Sequence, residues 1–335
     1  MRAIIYGAGA VGSVLGARLH QGGVETVLVG RPAHVKAINE HGLLLRTADE
    51  ETRVRVSAIA NLDEIEPRAD DIMLITAKTQ DTPTIHDAIA AWSPDIAVVC
   101  ATNGVEHERM ALRRFERVYA MVIMLPAQFE KPGEVTALCL PTHAVVDIGC
   151  YPSGVDDLAR EFAAAADQSP HVRCEADPDI MAKKYAKIVL NLGNAAEAAV
   201  GLGGRSAPVV TAAQAEAKAV YTAAGIRTID DADDDAMRSY RERTATMAFK
   251  IPTGASFLGG STWQGLAKGA TTVETDYFNG EIVLLGRLHG VATPHNLFLQ
   301  RVAHDLVRER RAPASMTAEQ LDERWKQVTT AMSPS

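Results

Sequence analysis

Cysteine is scarce in this 335-residue chain: Cys100, Cys139, Cys150 and Cys174 lie far apart with no C-x-x-C pair. That spacing suggests neither a disulfide framework nor a zinc site. Three of the four follow or sit within apolar runs and read as buried free thiols. Clustered basic residues are missing too. The net charge is −8 and no Lys/Arg stripe recurs, so nucleic acid is not an expected partner. No apolar run is long enough to span a bilayer, and strand-like sequence begins at Arg2, which leaves no room for a leader. A cytoplasmic protein without a membrane partner is the expectation. Internal repeats and low-complexity tracts are absent.

What remains is ordinary globular material, 47% hydrophobic and 23% charged, in a length that suits two domains. In the first half, short apolar runs alternate with helical stretches. Residues 2–6, 26–30, 72–76, 96–100 and 118–125 read as strands covered on both faces, with helices at 10–20 and 83–91 between them. The alternation predicts an α/β fold with a doubly wound sheet. From about residue 130 to 150 strand-like segments with a Pro132-Gly133 turn suggest an antiparallel extension. After Pro178 the texture turns helical, at 178–201, 207–224, 234–249, 271–289 and 294–311. The expected organisation is a dinucleotide-binding domain at 1–177, a helical substrate domain at 178–312 and a tail at 313–335, the tail a short helix or a frayed end.

Gly7-Ala8-Gly9-Ala10-Val11-Gly12 is a G-x-G-x-x-G turn that directly follows the first strand and opens a helix, the context in which it binds a dinucleotide. The first glycine permits the turn, the second lets a pyrophosphate approach the backbone, and the third allows helix to pack on strand. Free N–H groups and the helix dipole then favour the phosphates. NAD enzymes usually place an acid at the end of the second strand for the ribose 2′-hydroxyl. Here the strand ends Val29-Gly30-Arg31, and the only nearby acid, Glu25, lies several residues earlier. Arg31 can pair with a 2′-phosphate, so NADPH is favoured over NADH; the plainer alternative is a solvated loop arginine.

In the helical half, Lys187, Asn191 and Asn194 stand at i, i+4 and i+7, an amine and two carboxamides along one face of an apolar helix. Such a row is costly unless paired, either with a small polar substrate or across a helix interface. Lys183 and Lys184 lack the alignment and read as solvated. Further on come Ser261-Thr-Trp-Gln264 and Glu274-Thr-Asp-Tyr-Phe-Asn279. Thr271 and Glu274 also fit a capping box, and Ser261 fits an N-cap. Lys78 and Asn103 directly follow apolar strands, at the sheet edge where ligands bind. Trp263 either lines a pocket or packs. His107, flanked by glutamates, reads as a surface residue. The acidic run from Asp230 to Asp235 lacks calcium-loop spacing and reads as a solvated helix start, so no metal is expected.

Taken together, GAGAVG at 7–12, TAK ending at Lys78, TNG with Asn103, K-x-x-x-N with Lys187 and Asn191, ETDYFNGEIV from Glu274, and TPHN resemble the ketopantoate reductases (2-dehydropantoate 2-reductases) from the N-terminus to about Arg311. The resemblance implies a Rossmann-type domain followed by an all-helical C-terminal domain like that of 6-phosphogluconate dehydrogenase. It also implies NADPH-dependent reduction of a 2-oxo acid to a 2-hydroxy acid, ketopantoate to pantoate for coenzyme A synthesis. By the same resemblance Lys187 is the general acid and Glu274 contacts cofactor or substrate. Ser261 holds the substrate carboxylate, Asn191 and Asn194 hold its hydroxyl groups, and Lys78 and Asn103 lie near the nicotinamide. This chain departs from the family at position 195, an alanine where a second asparagine often stands, and at Gly265, where Asp is common. Both fall near the expected substrate pocket. Two other readings therefore stand beside the first: a reductase of the same fold for another 2-oxo acid or ketone, and a non-catalytic NADP(H) sensor, which would need none of Lys187, Asn191 and Glu274. The apolar helical domain is compatible with a homodimer.

Overall fold

Ala3 and Ile5 of the first strand face one core and Ile4 faces another, the pattern of a strand covered on both sides. The computed structural model describes residues 1–229, 235–253 and 259–332. Its chain runs β1 (Arg2–Tyr6), α1 (Ala10–Gln21), β2 (Glu25–Val29), α2 (Pro32–His41), β3 (Leu43–Arg46), β4 (Glu51–Val54) and β5 (Ser57–Ile59). There follow β6 (Asp71–Ile75), α3 (Thr82–Trp92), β7 (Ala97–Cys100), α4 (Glu106–Leu112) and β8 (Val118–Met124). Then come β9 (Ala127–Lys131), β10 (Glu134–Ala137), β11 (Cys139–Pro141), β12 (Ala144–Cys150), α5 (Asp157–Asp167) and β13 (Val172–Ala176).

The main sheet has the order β13-β12-β8-β7-β6-β1-β2-β5. Strands β5 to β8 are parallel, β12 runs against β8, and β13 is parallel to β12. From β1 the chain goes to β2 on one side and later to β6 on the other. The carboxyl ends of β1 and β6 therefore flank a topological switch point, where doubly wound sheets bind ligands. The expected antiparallel extension resolves into two parts. Pro132-Gly133 turns β9 into β10, which belong to a separate four-stranded sheet of order β4-β3-β10-β9, while β12 joins the main sheet antiparallel to β8. β3, β4, β5, α5 and β13, short or weakly periodic segments, lie outside the expected elements.

The later elements are α6 (Ile180–Asn191), α7 (Asn194–Val200), α8 (Pro208–Ala224), α9 (Asp235–Ala245), β14 (Met247–Phe249), α10 (Ser261–Ala267), α11 (Asn279–His289), α12 (Pro294–Arg308) and α13 (Ala318–Met332). The chain forms two compact units, Met1–Lys184 with Ile229–Ser256, and Tyr185–Thr228 with Phe257–Ser335. The first unit thus extends past the expected boundary at 177, and a later segment returns to it. Part of the expected 234–249 helix is the strand β14, which pairs with β11. The carboxylate of Asp147, fully buried on β12, explains the return. It accepts from Lys183 Nζ at 2.7 Å and from Arg243 Nη1 of α9 at 2.6 Å. Burial would raise its pKa, but Arg243 and Lys183 hold it below the usual carboxylate range. Lys183, expected in solvent, is therefore a buried ion-pair partner, also 2.5 Å from Asp177. Of the acidic run, 230–234 lie outside the described residues, and Asp235 opens α9. The tail is helical from Ala318 to Met332 and packs Trp325 on Phe298 of α12 in the second unit.

Cys100, Cys139 and Cys174 are buried free thiols, and Cys150 is half-buried. No described helix is long and apolar enough to cross a membrane.

Candidate active site

In the first unit the three glycines of the N-terminal turn do different work. Gly7 has φ +110°, and a Cβ there would meet Ala77 N at 2.6 Å. At Gly12 a Cβ would come within 2.4 Å of Thr76 Oγ1 and 2.5 Å of Gly7 O. Both glycines are demanded by the fold. Gly9 is exposed, its φ is −86°, and a Cβ there would meet nothing nearer than Gly7 O at 3.9 Å. Nothing among the described residues requires a glycine at that position, whereas an approaching phosphate would. Gly9 is also the N-cap of α1, without a side-chain cap and with no acid in the first turn, so the N–H groups of Ala10, Val11 and Gly12 remain for an anion. Ala8 is buried, its N–H donating to Val29 O at 2.9 Å, which binds the turn to the end of β2.

Arg31 is exposed at that same end, as N-cap of α2, with no acid in the helix's first turn. Glu25 is at the opposite end of β2, bound by Arg68 Nη1 at 2.8 Å, and so is remote from a ribose at Arg31. The turn, the Lys78 loop and the Asn103 loop form one edge. Thr76 Oγ1 donates to Gly7 O at 2.8 Å, and Thr79 Oγ1 to Asn103 O at 3.4 Å. Lys78 and Asn103 are half-buried.

Two expectations fail on this edge. Lys184 is 2% exposed, with its ammonium paired to Glu108 of α4 and donating to Thr102 O at 3.0 Å and Cys100 O at 3.4 Å. His107 is fully buried, its Nδ1 3.0 Å from Thr102 Oγ1 and its Nε2 3.0 Å from His86 Nε2. Burial drives the His107 pKa well below the ordinary imidazole value, with His86 and Lys184 adding to the effect. Burial likewise lowers His86 to about 4. Partners supplied from distant sequence took both residues out of solvent, and no local pattern carries that signal.

In the second unit the polar row is broken. Asn191 ends α6, Gly193 caps α7 and Asn194 begins it, so one helix carries Lys187 and Asn191 but not Asn194. The break has named causes: Leu192 O accepts from Asn279 Nδ2 at 3.2 Å, and Leu190 O from Arg205 Nη1 at 3.2 Å. Asn279 is itself held by Asn296 Oδ1 at 3.1 Å, and Asn296 Nδ2 donates to Ala213 O at 2.9 Å. The two asparagines of YFNG and TPHN thus shape the helix break, a role that their spacing did not reveal. Lys187 is half-buried. Asn191 Nδ2 is a buried amide donor with no hydrogen-bond partner among the described residues. A polar ligand would satisfy it.

Asn194 is 6% exposed and its Oδ1 takes Arg205 Nη2 at 2.6 Å. Arginine has no acceptor, so the amide nitrogen of Asn194 must point away from it. Arg205 Nε also donates to Glu197 Oε2 at 2.6 Å, and Glu197 Oε1 accepts from Gly260 N at 2.9 Å. This pair, absent from the sequence reading, links Asn194 to the residue before Ser261. Ser261 is exposed at the first position of α10, with Gly260 rather than Ser261 as N-cap. Glu274 is 8% exposed in a short 3₁₀ turn capped by Val273, so no Thr271 capping box forms. That turn reaches the helix break through Thr275 Oγ1, 3.3 Å from Asn279 Oδ1. Trp263 is half-buried against Gly259, where a Cβ would meet its ring at 2.8 Å.

A family model described as ketopantoate reductase PanE/ApbA matches residues 3–153, and its C-terminal counterpart matches residues 179–307. The 2-dehydropantoate 2-reductase of Lactococcus lactis is 27% identical over 316 residues, which cover 91% of this chain and 97% of that protein. The crystal structure of a PanE/ApbA family ketopantoate reductase from Ralstonia eutropha JMP134 is 27% identical, with TM-score 0.74 over 93% of this chain and 100% of that one. A ternary structure of D-mandelate dehydrogenase with NADH and anilino(oxo)acetate shares the fold at 24% identity and TM-score 0.74, over 93% of this chain and 100% of that one.

Proposed function

The chain belongs to the ketopantoate reductase family, and on that premise we propose that it reduces 2-dehydropantoate to pantoate with NADPH. The observation that carries the reading is the buried Asn191 Nδ2, unpartnered among the described residues, one helical turn beyond Lys187, an amide and an amine on one face of α6. Gly9 and the uncapped start of α1 fit a dinucleotide pyrophosphate, and Arg31 fits the 2′-phosphate that separates NADPH from NADH.

A bound reduced nicotinamide supplies the hydride. Its addition to the ketone carbon leaves negative charge on oxygen, and the Lys187 ammonium stabilises that charge and gives its proton to the same oxygen. Asn191 and Asn194 donate amide hydrogens to substrate oxygens, Ser261 binds the carboxylate, and Lys78, Asn103 and Glu274 orient the cofactor's reactive end.

A second reading, another 2-oxo acid on the same machinery, is favoured by one observation. The Arg205 bond to Asn194 Oδ1 leaves that residue only a donor, so it can meet a carbonyl or carboxylate as well as a hydroxyl. NADPH oxidation over a panel of 2-oxo acids that includes ketopantoate tests both. Turnover confined to ketopantoate supports the first, turnover of another acid supports the second, and tight NADPH binding without turnover contradicts both. In the same assay Arg31→Ala should raise the KM for NADPH much more than that for NADH; equal effects would remove Arg31 from the phosphate.

A further inference from the structure

Five buried polar side chains crowd at the loop that follows β7, and the proposed chemistry uses none of them. Lys184 spends its three N–H groups on Cys100 O, Thr102 O and the Glu108 carboxylate. Thr102 Oγ1 is met by His107, and His107 by His86. The loop backbone is thus gripped through two carbonyls and one hydroxyl just before Asn103, whose own carbonyl accepts from Thr79 in the Lys78 loop. Glu108 is fully buried, yet its Oε2 has no hydrogen-bond partner among the described residues.

A buried ion pair is a weak stabiliser, and one with an unsatisfied oxygen is weaker still than a well-packed apolar pair. Departures of this kind from good packing tend to accompany functional positions. In a doubly wound sheet each half takes one nucleotide. With the pyrophosphate on the β1 turn and the adenosine end at β2 and Arg31, the half built on β6 to β8 is left for the nicotinamide. The Asn103 loop lies at the carboxyl edge of that half.

Resting on the cofactor reading above, we propose that Lys184 and Glu108 are positioning residues for the nicotinamide half of the cofactor, a buried pair that fixes the loop from Ala101 to Asn103. They do not touch the cofactor. They set the backbone from which Asn103 and, through Thr79, the Lys78 loop are presented.

The test compares binding of NADPH with that of 2′-phospho-ADP-ribose, which keeps the adenosine half and lacks nicotinamide. The variant is Lys184→Met/Glu108→Gln, which removes both charges together and leaves no lone ion. Its NADPH affinity should fall about tenfold or more, since a loop displaced by an ångström is enough for that. Affinity for 2′-phospho-ADP-ribose should stay within about twofold of the parent. Should the double variant not fold, Glu108→Gln alone, an isosteric change, should give the same pattern at about threefold. Equal weakening of both ligands would mean a merely structural pair and overturn the proposal, as would unchanged affinity for both in a folded variant. If the parent protein binds neither compound, the cofactor reading fails, and this proposal with it.

Discussion

Both units hold an asparagine-bearing segment with a carboxylate and a cation, but they expose those pairs very differently. In the first, Lys184 and Glu108 are 2% and 0% exposed and grip the loop of Asn103. In the second, Glu197 is 2% exposed but Arg205 is 41% exposed, and together they hold Asn194 and the residue before Ser261. An enclosed pair cannot recruit water when one partner leaves, so it fixes its loop in one place. A pair open on one side keeps water as a substitute, so its loop can adjust. On the proposed reading, the enclosed brace serves the half that holds the cofactor, and the open brace serves the half that holds the substrate.

The sharpest way to break that comparison is to remove each cation separately. Lys184→Met leaves a carboxylate buried alone and should cost about 3–5 kcal/mol in chemical denaturation. Burial already pushes the Glu108 carboxyl up, and loss of the ammonium would push it further. The folded state of the variant would then hold a proton that the unfolded state releases. Its deficit should therefore be larger at pH 8 than at pH 5.

Within the first unit, Gly12→Ala should cost about 1–3 kcal/mol, because its Cβ has nowhere to go. Gly9→Ala, by contrast, should leave stability within about 0.5 kcal/mol. Its cofactor affinity should nevertheless fall about tenfold or more, because the new methyl occupies the space a pyrophosphate needs. If both glycine variants lost stability equally, Gly9 would be a structural residue like its neighbours.

Of the two cations, the smaller stability effect is expected at Arg205→Met, about 1–2 kcal/mol, since Gly260 N still satisfies Glu197 and solvent reaches the vacated place. A loss equal to that of Lys184→Met would erase the distinction between the two braces.

The two units also differ in how much of them could be read from sequence. The glycine turn, the five first-half strands and Arg31 at the end of β2 follow local rules, in which spacing and chain direction decide the geometry. Lys187 and Asn191 were legible for the same reason, as an i, i+4 pair. Asn194 was not, because the helix is interrupted at Leu192 by Asn279, a partner remote in sequence. Lys183, Lys184 and His107 looked solvated because their burial depends on Asp147, Glu108 and His86, in other elements of the fold. Glu197 and Arg205 carried no recognisable spacing at all. Contacts between distant segments account for each of these gaps.

The central claim is that Lys187 delivers the proton while the glycine turn independently holds the cofactor. Steady-state turnover and NADPH titration of Lys187→Ala, on whichever 2-oxo acid the parent reduces, test it most directly. The account predicts a fall in kcat of about 10²–10⁴-fold with the NADPH dissociation constant within about twofold of the parent. A kcat near that of the parent would contradict it.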